Sequence, residues 1–246
     1  MSNLIKSLLT ILVTFTLGAQ ASSLVLTTED DMALKADYFQ SVKDSNRGVL
    51  MLHQCNYNRT MYDDIGEQLA QKGIHALSLD FRGFGESVSE KFDIEKIQAL
   101  PEEKQGDAWQ AMSADWPKDV QLAYDYLKSK LTNNGIVGII GASCGGSQAI
   151  TLAEKNPIKA ISFFSSGQRK ENIKRYESAL ADKPTLIIAS EDDGGTYTSA
   201  QKLFAVANHD NSRFISYKRS DHGYPLLDRD PHLATSIVNW FDNQLH

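Results

Sequence analysis

The stretch Ile136-Val137-Gly138-Ile139-Ile140-Gly141-Ala142-Ser143-Cys144-Gly145-Gly146 decides how the rest of this chain is read. Its first five residues are apolar without alternation, as expected of a strand covered on both faces of a mostly parallel sheet. Small residues follow around a single serine, and Gln148 to Lys155 continues as a helix that Asn156-Pro157 stops. A strand, a tight turn carrying Ser143 and a helix form the local setting in which a hydroxyl is held out for attack. Gly141 and Gly145 leave room where the strand and helix backbones pass close to each other. The same spacing also fits a glycine-rich turn that merely joins strand to helix, so the remainder of the chain has to supply partners for the serine.

On either side the chain alternates short apolar runs with helical periods, an α/β signature. Leu24 to Thr27 and Ala33 to Phe39 read as an antiparallel opening pair. Gly48 to Leu52, His75 to Leu79, Ala160 to Phe164, Pro184 to Ile188 and Phe214 to Tyr217 read as further strands, about eight in all. Ile65 and Leu69 lie on a helix that Gly73 closes, and Val120, Tyr124, Leu127 and Leu131 mark an amphipathic helix opened by Asp115 and Pro117. Helices are also expected over Asn172 to Leu180, over Ser199 to Ala207, and after Asp230-Pro231, where Leu233, Ile237, Trp240 and Phe241 share a face. The expected architecture is a doubly wound, mostly parallel eight-stranded sheet. Ligands bind such sheets beyond the carboxyl ends of the strands, so the informative residues follow each apolar run.

The 246 residues are 41% hydrophobic and 23% charged, within the range of one globular α/β domain. A net charge of −6, from 25 Lys and Arg against 31 Asp and Glu, and the lack of a basic run argue against nucleic acid as a partner. Residues 1–21 have the form of a secretory signal peptide, with Lys6, an apolar run from Ser7 to Gly18 and Ala19-Gln20-Ala21 at the cut. The apolar run is too short for a bilayer core, which needs about 20 residues. The expected product is therefore one domain over residues 22–246, periplasmic or secreted, without a stable membrane span. Two cysteines, Cys55 and Cys144, exclude a disulfide-stapled mini-fold and any multi-cysteine metal site, and no H-E-x-x-H spacing occurs. No metal or cofactor is expected.

A serine hydroxyl needs a base to take its proton and an acid to orient that base. Two strand ends after Ser143 offer them. Ala189-Ser190-Glu191-Asp192-Asp193 follows one apolar run, and Lys218-Arg219-Ser220-Asp221-His222-Gly223 follows the last.

With the elbow, these loops and the turn Asp80-Phe81-Arg82-Gly83-Phe84-Gly85-Glu86-Ser87, which matches D-x-R-G-x-G-x-S, the chain resembles the α/β-hydrolase superfamily over nearly all of residues 24–246. The resemblance implies a catalytic Ser143, an acid after the seventh strand and a histidine after the eighth. It favours Asp193, three residues beyond Ser190, over Asp192, with Glu191 a solvated turn residue, and it assigns the base to His222 before Gly223. It also implies oxyanion donors at the N–H groups of Cys55 and Cys144. His53 and Gln54 stand where the family usually has His-Gly, a departure at Gln54, and His53 reads as structural. A Cys55–Cys144 bridge is then conceivable in an exported protein, although two buried free thiols are the expected state. Cys144 itself fits the cysteine-nucleophile pattern of dienelactone hydrolases, but aligning all three glycines places Ser143 there.

The segment Val88 to Trp116 reads as irregular and as a candidate wall of the substrate pocket. Between the sixth and seventh strands only one helix fits, so no large cap domain is expected. The resemblance implies a serine hydrolase acting on a small-molecule carboxylic ester, thioester or amide. A lactonase of the dienelactone-hydrolase type, an exported peptidase and a non-catalytic binding protein on the same fold are the alternatives.

Overall fold

The computed structural model describes residues 21–246, so the leader expected over residues 1–21 lies outside the described residues except for Ala21. In chain order the first strands are β1 (Ala21–Thr27), β2 (Ala33–Phe39) and β3 (Arg47–Leu52). A 3₁₀ turn at Arg59–Tyr62 leads into α1 (Asp63–Gln71), β4 (His75–Leu79), α2 (Ile94–Gln98), α3 (Glu102–Ser113) and α4 (Trp116–Ser129). Then come β5 (Ile136–Ala142), α5 (Cys144–Ala153), β6 (Ile158–Phe164), α6 (Lys170–Ala179) and β7 (Thr185–Ser190). The chain closes with α7 (Gly194–Val206), β8 (Arg213–Tyr217), α8 (Tyr224–Arg229) and α9 (Leu233–Gln244).

All eight strands form one sheet in the order β1-β2-β4-β3-β5-β6-β7-β8. β2 pairs antiparallel with both β1 and β4, while every other pairing is parallel. β2 therefore runs against the other seven strands. Strand alternation divides the core into two layers. Leu50 and Leu52 of β3 face Val120, Ala123 and Leu127 of α4 and Ala149 and Ile150 of α5. Val49 and Met51 face Ile65 and Leu69 of α1 and Ile237 and Phe241 of α9. Each such fully buried aliphatic side chain contributes about 1.5–3 kcal/mol, so this two-sided cover holds the sheet between its helices.

The chain leaves β3 toward β4 on one side and returns across β3 to β5 on the other. The strand order reverses there, and this opens a crevice at the carboxyl ends of β3 and β5. His53 to Cys55 and Ser143 to Cys144 lie directly beyond those two ends.

Three expectations about elements are corrected. Val88 to Trp116 is not irregular, because it contains α2 and α3. α3 escapes periodicity because Met112 is its single buried residue, so no apolar stripe marks it. Helix α8, six residues long, fills what reads as loop between His222 and the last helix, and α7 begins five residues before the expected Ser199. Between β6 and β7 the one helix is α6, and no large cap covers the sheet edge among the described residues.

Candidate active site

Ser143 sits at the tip of the β5–α5 turn with φ 48° and ψ −115°, a left-handed backbone for a residue with a Cβ. Such a conformation costs about 1–3 kcal/mol and survives only where its surroundings impose it. They do so here through backbone approach. A Cβ on Gly141 would lie 2.4 Å from Gly145 O, and one on Gly145 would lie 2.5 Å from Leu52 O. Ser143 N–H donates to Phe164 O at 2.9 Å, and Ser143 O accepts from Ser166 Oγ at 2.5 Å. The strained turn is thus gripped by the strand end on either side.

His222 lies in the loop after β8, and the structure brings it to both expected partners. Its Nε2 is 2.9 Å from Ser143 Oγ and its Nδ1 is 2.6 Å from Asp193 Oδ2. A carboxylate only accepts, so the consistent tautomer has Nδ1–H donating to Asp193 and Nε2 accepting from the serine hydroxyl. Asp193 immediately precedes α7 without a side-chain capping bond, which leaves its carboxylate to His222, and its N–H donates to Ser190 O at 3.1 Å. Neither neighbouring acid makes a hydrogen bond to His222. Glu191 pairs with Lys218 at 2.7 Å, and Asp192 N–H donates to Arg219 O at 2.9 Å, which ties the acid loop to the histidine loop.

Among the described residues, neither Cys55 N–H nor Cys144 N–H donates to any protein acceptor. The two residues are joined by a disulfide with Cα atoms 5.9 Å apart, and this corrects the expectation of free thiols. The bridge forms because the loop after β3 and the start of α5 abut at the crevice, an approach that a separation of 89 residues does not reveal. It also removes Cys144 as a competing nucleophile, because its sulfur is bonded to that of Cys55 and cannot form a thiolate.

His53 is fully buried and both ring nitrogens are engaged within the protein. Nδ1–H donates to Gln54 O at 2.7 Å, and Nε2 accepts from Phe81 N–H at 2.9 Å. Burial pushes its pKa down to about 4, so the ring is neutral at physiological pH. Because the Gln54 carbonyl is turned toward this ring, the trans peptide directs the following Cys55 N–H the opposite way.

The turn matching D-x-R-G-x-G-x-S serves as framework. Buried Asp80 accepts from Arg59 N–H at 2.7 Å, from the Arg59 guanidinium at 2.6 Å and from Glu86 N–H at 2.9 Å. Arg82 bridges Asp30 and Asp119. The segment Val88 to Trp116 mostly packs inward. Phe92, Ile97, Met112 and Trp116 are buried, and Trp116 stacks on Phe81 at 4.8 Å. Ile94 and Trp109 remain half-buried at its edge.

A cavity of about 600 Å³ opens elsewhere, lined by Thr28, Arg82, Asp119, Leu122, Thr151 and Lys155 among others, and no member of the Ser143 site borders it. The converging side chains and undonated N–H groups lie in the crevice, away from that cavity. No group of three or more His, Cys, Asp or Glu side chains among the described residues is arranged to hold a metal ion. No described helix is long and apolar enough to cross a membrane.

A sheet of this order and direction, with a strained serine elbow between its central strand and a helix, defines an α/β hydrolase. The family model described as serine aminopeptidase, S33, matches residues 43–167, just over half of the chain. The chain belongs to that family, within the α/β-hydrolase superfamily of hydrolases. Solved structures agree on the fold. An esterase from Pyrococcus furiosus superposes with a TM-score of 0.68 at 16% identity, covering 92% of this chain and 93% of that one. A dienelactone hydrolase from Anabaena variabilis gives 0.62 at 18% identity, covering 92% and 100%. A carboxyl esterase from Bacillus coagulans gives 0.65 at 10% identity, covering 92% and 99%. No curated protein matches the sequence significantly.

Proposed function

We infer that the protein is an exported serine hydrolase that cleaves carboxylic esters, or related thioester or amide bonds, through an acyl-enzyme on Ser143, His222 and Asp193. The observation that carries this reading is the unbroken chain Asp193 Oδ2, His222, Ser143 Oγ, at 2.6 and 2.9 Å, on a strained elbow beside two undonated N–H groups.

Ser143 Oγ attacks the acyl carbon while its proton passes to His222 Nε2. The carbonyl oxygen takes the negative charge and accepts from Cys55 N–H and Cys144 N–H, each such donor typically lowering the barrier by about 3 kcal/mol. As the tetrahedral species collapses, the leaving alkoxide takes the proton back from His222 Nε2. Water then attacks the acyl-enzyme with His222 again as base, and Ser143 is released with its proton restored. Asp193 holds Nδ1–H and stabilises the imidazolium that forms in each half.

The ester class draws support from the names of the esterases that share the fold. A peptidase reading draws on the description of the family, and a lactonase reading on the dienelactone hydrolase neighbour. Export is supported by the Cys55–Cys144 disulfide, a bond that persists in oxidising compartments. The test is labelling of the protein with a fluorophosphonate probe, peptide mapping, and a panel of p-nitrophenyl esters, lactones and aminoacyl anilides. Modification at Ser143, abolished in Ser143→Ala and His222→Ala, with the highest kcat/KM on the esters, is the expected result. Absence of labelling in the unsubstituted protein overturns the serine-hydrolase reading, and preference for the anilides replaces ester by peptide.

A further inference from the structure

We propose that Gln54 is a positioning residue for His222, its carboxamide locking the histidine loop to the loop that carries the Cys55 oxyanion donor. The proposal rests on the reading of Ser143, His222 and Asp193 given above and assigns a role to the position where the chain departs from its family's usual glycine.

Gln54 follows His53 at the end of β3, and only 1% of it is exposed. Its Oε1 accepts from Tyr224 N–H at 2.7 Å across 170 residues of sequence. Tyr224 opens α8, and the first N–H groups of a helix have no partner within it. Gln54 therefore caps α8 from a distant loop. Its own Nε2 donates to Asn56 Oδ1 at 2.5 Å, which fixes which end of the amide faces Tyr224. Gly223 completes the fit for two separate reasons. Its φ is +69°, and a Cβ there would stand 1.8 Å from Gln54 Oε1. The ring of Tyr57, three residues after Gln54, stacks on that of Tyr224 with centroids 4.3 Å apart.

His222 lies between this anchor and a second one. On its other side Asp221 O accepts from buried Ser190 Oγ at 2.7 Å, and Ser190 ends the strand that leads to Asp193. The His222 backbone is thus tethered upstream to the acid loop and downstream to the oxyanion loop. His222 needs this restraint because its side chain is 32% exposed and so gains little from packing. The Cys55–Cys144 bridge then joins the oxyanion loop to the elbow. Nucleophile, base and oxyanion donors consequently belong to one cross-linked unit, with Gln54 as the link that reaches the base. A glycine at position 54 has no side chain to make that link.

The test compares Gln54→Met, which keeps the volume and removes the acceptor, with Gln54→Glu, which keeps the acceptor. A shift of about 1 Å at a catalytic group costs roughly 100-fold in rate. Gln54→Met is expected to lower kcat by roughly 10- to 100-fold with KM within about threefold of the unsubstituted protein. The low-field proton resonance of His222 Nδ1–H, which arises from its hydrogen bond to Asp193, broadens in the same variant. Gln54→Glu retains the resonance and most of kcat. Should Gln54→Met fail to fold, Gln54→Asn, one methylene too short to reach Tyr224 N–H, takes its place. Unchanged kcat and resonance in Gln54→Met overturn the proposal, as does equal loss in the Met and Glu variants. The resonance is read without a substrate, so failure of the ester reading shows separately, as an unsubstituted protein that keeps the resonance but turns nothing over.

Discussion

Two histidines end two strands of the same sheet, and their surroundings make them opposites. His53 after β3 has both nitrogens committed to backbone groups and no exposed surface. His222 after β8 has one nitrogen on a carboxylate, the other on a hydroxyl, and a third of its side chain open to solvent. Position at a strand end is shared, so it does not tell the two rings apart. Partner chemistry does. A ring between two backbone groups fixes a loop, whereas a ring between a carboxylate and a hydroxyl can accept a proton and return it.

The largest expected effect tests that contrast directly. His222→Ala and Ser143→Ala lower kcat/KM by roughly 10⁴- to 10⁶-fold, with thermal stability nearly unchanged. His53→Ala is expected to do the reverse in kind, lowering unfolding free energy by about 3 kcal/mol through lost buried hydrogen bonds and a cavity. Calorimetry and steady-state kinetics on the three variants check both halves. If His53→Ala matches His222→Ala in activity while staying as stable as the unsubstituted protein, the division between the two rings is wrong.

Next in size is reduction of the Cys55–Cys144 bridge. Freed from the elbow, the loop after β3 no longer holds Cys55 N–H beside Cys144 N–H, and removing one such donor typically costs on the order of 100-fold in kcat. Treatment with a dithiol, with the thiols counted by alkylation and mass spectrometry, is expected to lower ester turnover by about that factor, and reoxidation to restore it. Full turnover with both thiols free breaks the link between bridge and donors.

The acid limb of the stability curve sharpens the contrast further. His53 titrates near 4 when folded and near 6.5 when unfolded, so the unfolded chain binds the extra proton between those values. Its contribution is complete above about pH 6.5 and is lost as pH falls toward 4, amounting to about 3 kcal/mol. Denaturant unfolding from pH 7 to 4 is expected to show this slope, and His53→Gln to flatten it. An unaltered slope in that variant assigns the acid sensitivity to other groups.

The smallest effect separates two glycines with positive φ next to Asp193 and His222. At Gly194, beside Asp193, nothing lies within 4 Å of a built Cβ, so Gly194→Ala costs only backbone strain, about 1 kcal/mol. At Gly223 the Cβ meets Gln54, so Gly223→Ala is expected to lower both stability and kcat further. Equal behaviour of the two variants in thermal melts and kinetics removes the steric part of that difference.

Much of the site is legible before any coordinates. Ser143 and Asp193 each follow a run of buried strand residues, His222 follows the half-exposed edge strand β8, and the fold gathers these strand ends at one edge. Gln54, Ser166 and Ser190 are not legible, because a buried amide or hydroxyl has no periodic signature and acquires its role from a backbone group far away in sequence. Gln54 stands out only as a departure from the His-Gly pattern. Helices α2 and α8 are too short for a period, and α3 buries too little to show one.

The alternation of strands and helices, the two-faced burial of β3 and β5, and the serine elbow are written locally in the chain. These rest on local hydrophobic periodicity and on glycines demanded by close backbone approach, which neighbouring residues suffice to specify. Long-range packing alone settles that Asp193 rather than Asp192 reaches His222, that Cys55 and Cys144 are joined, and that Gln54 holds Tyr224. Those outcomes depend on distances of a few ångströms between loops that lie tens of residues or more apart in the chain. Such distances are set by the twist and register of the whole sheet rather than by any single segment.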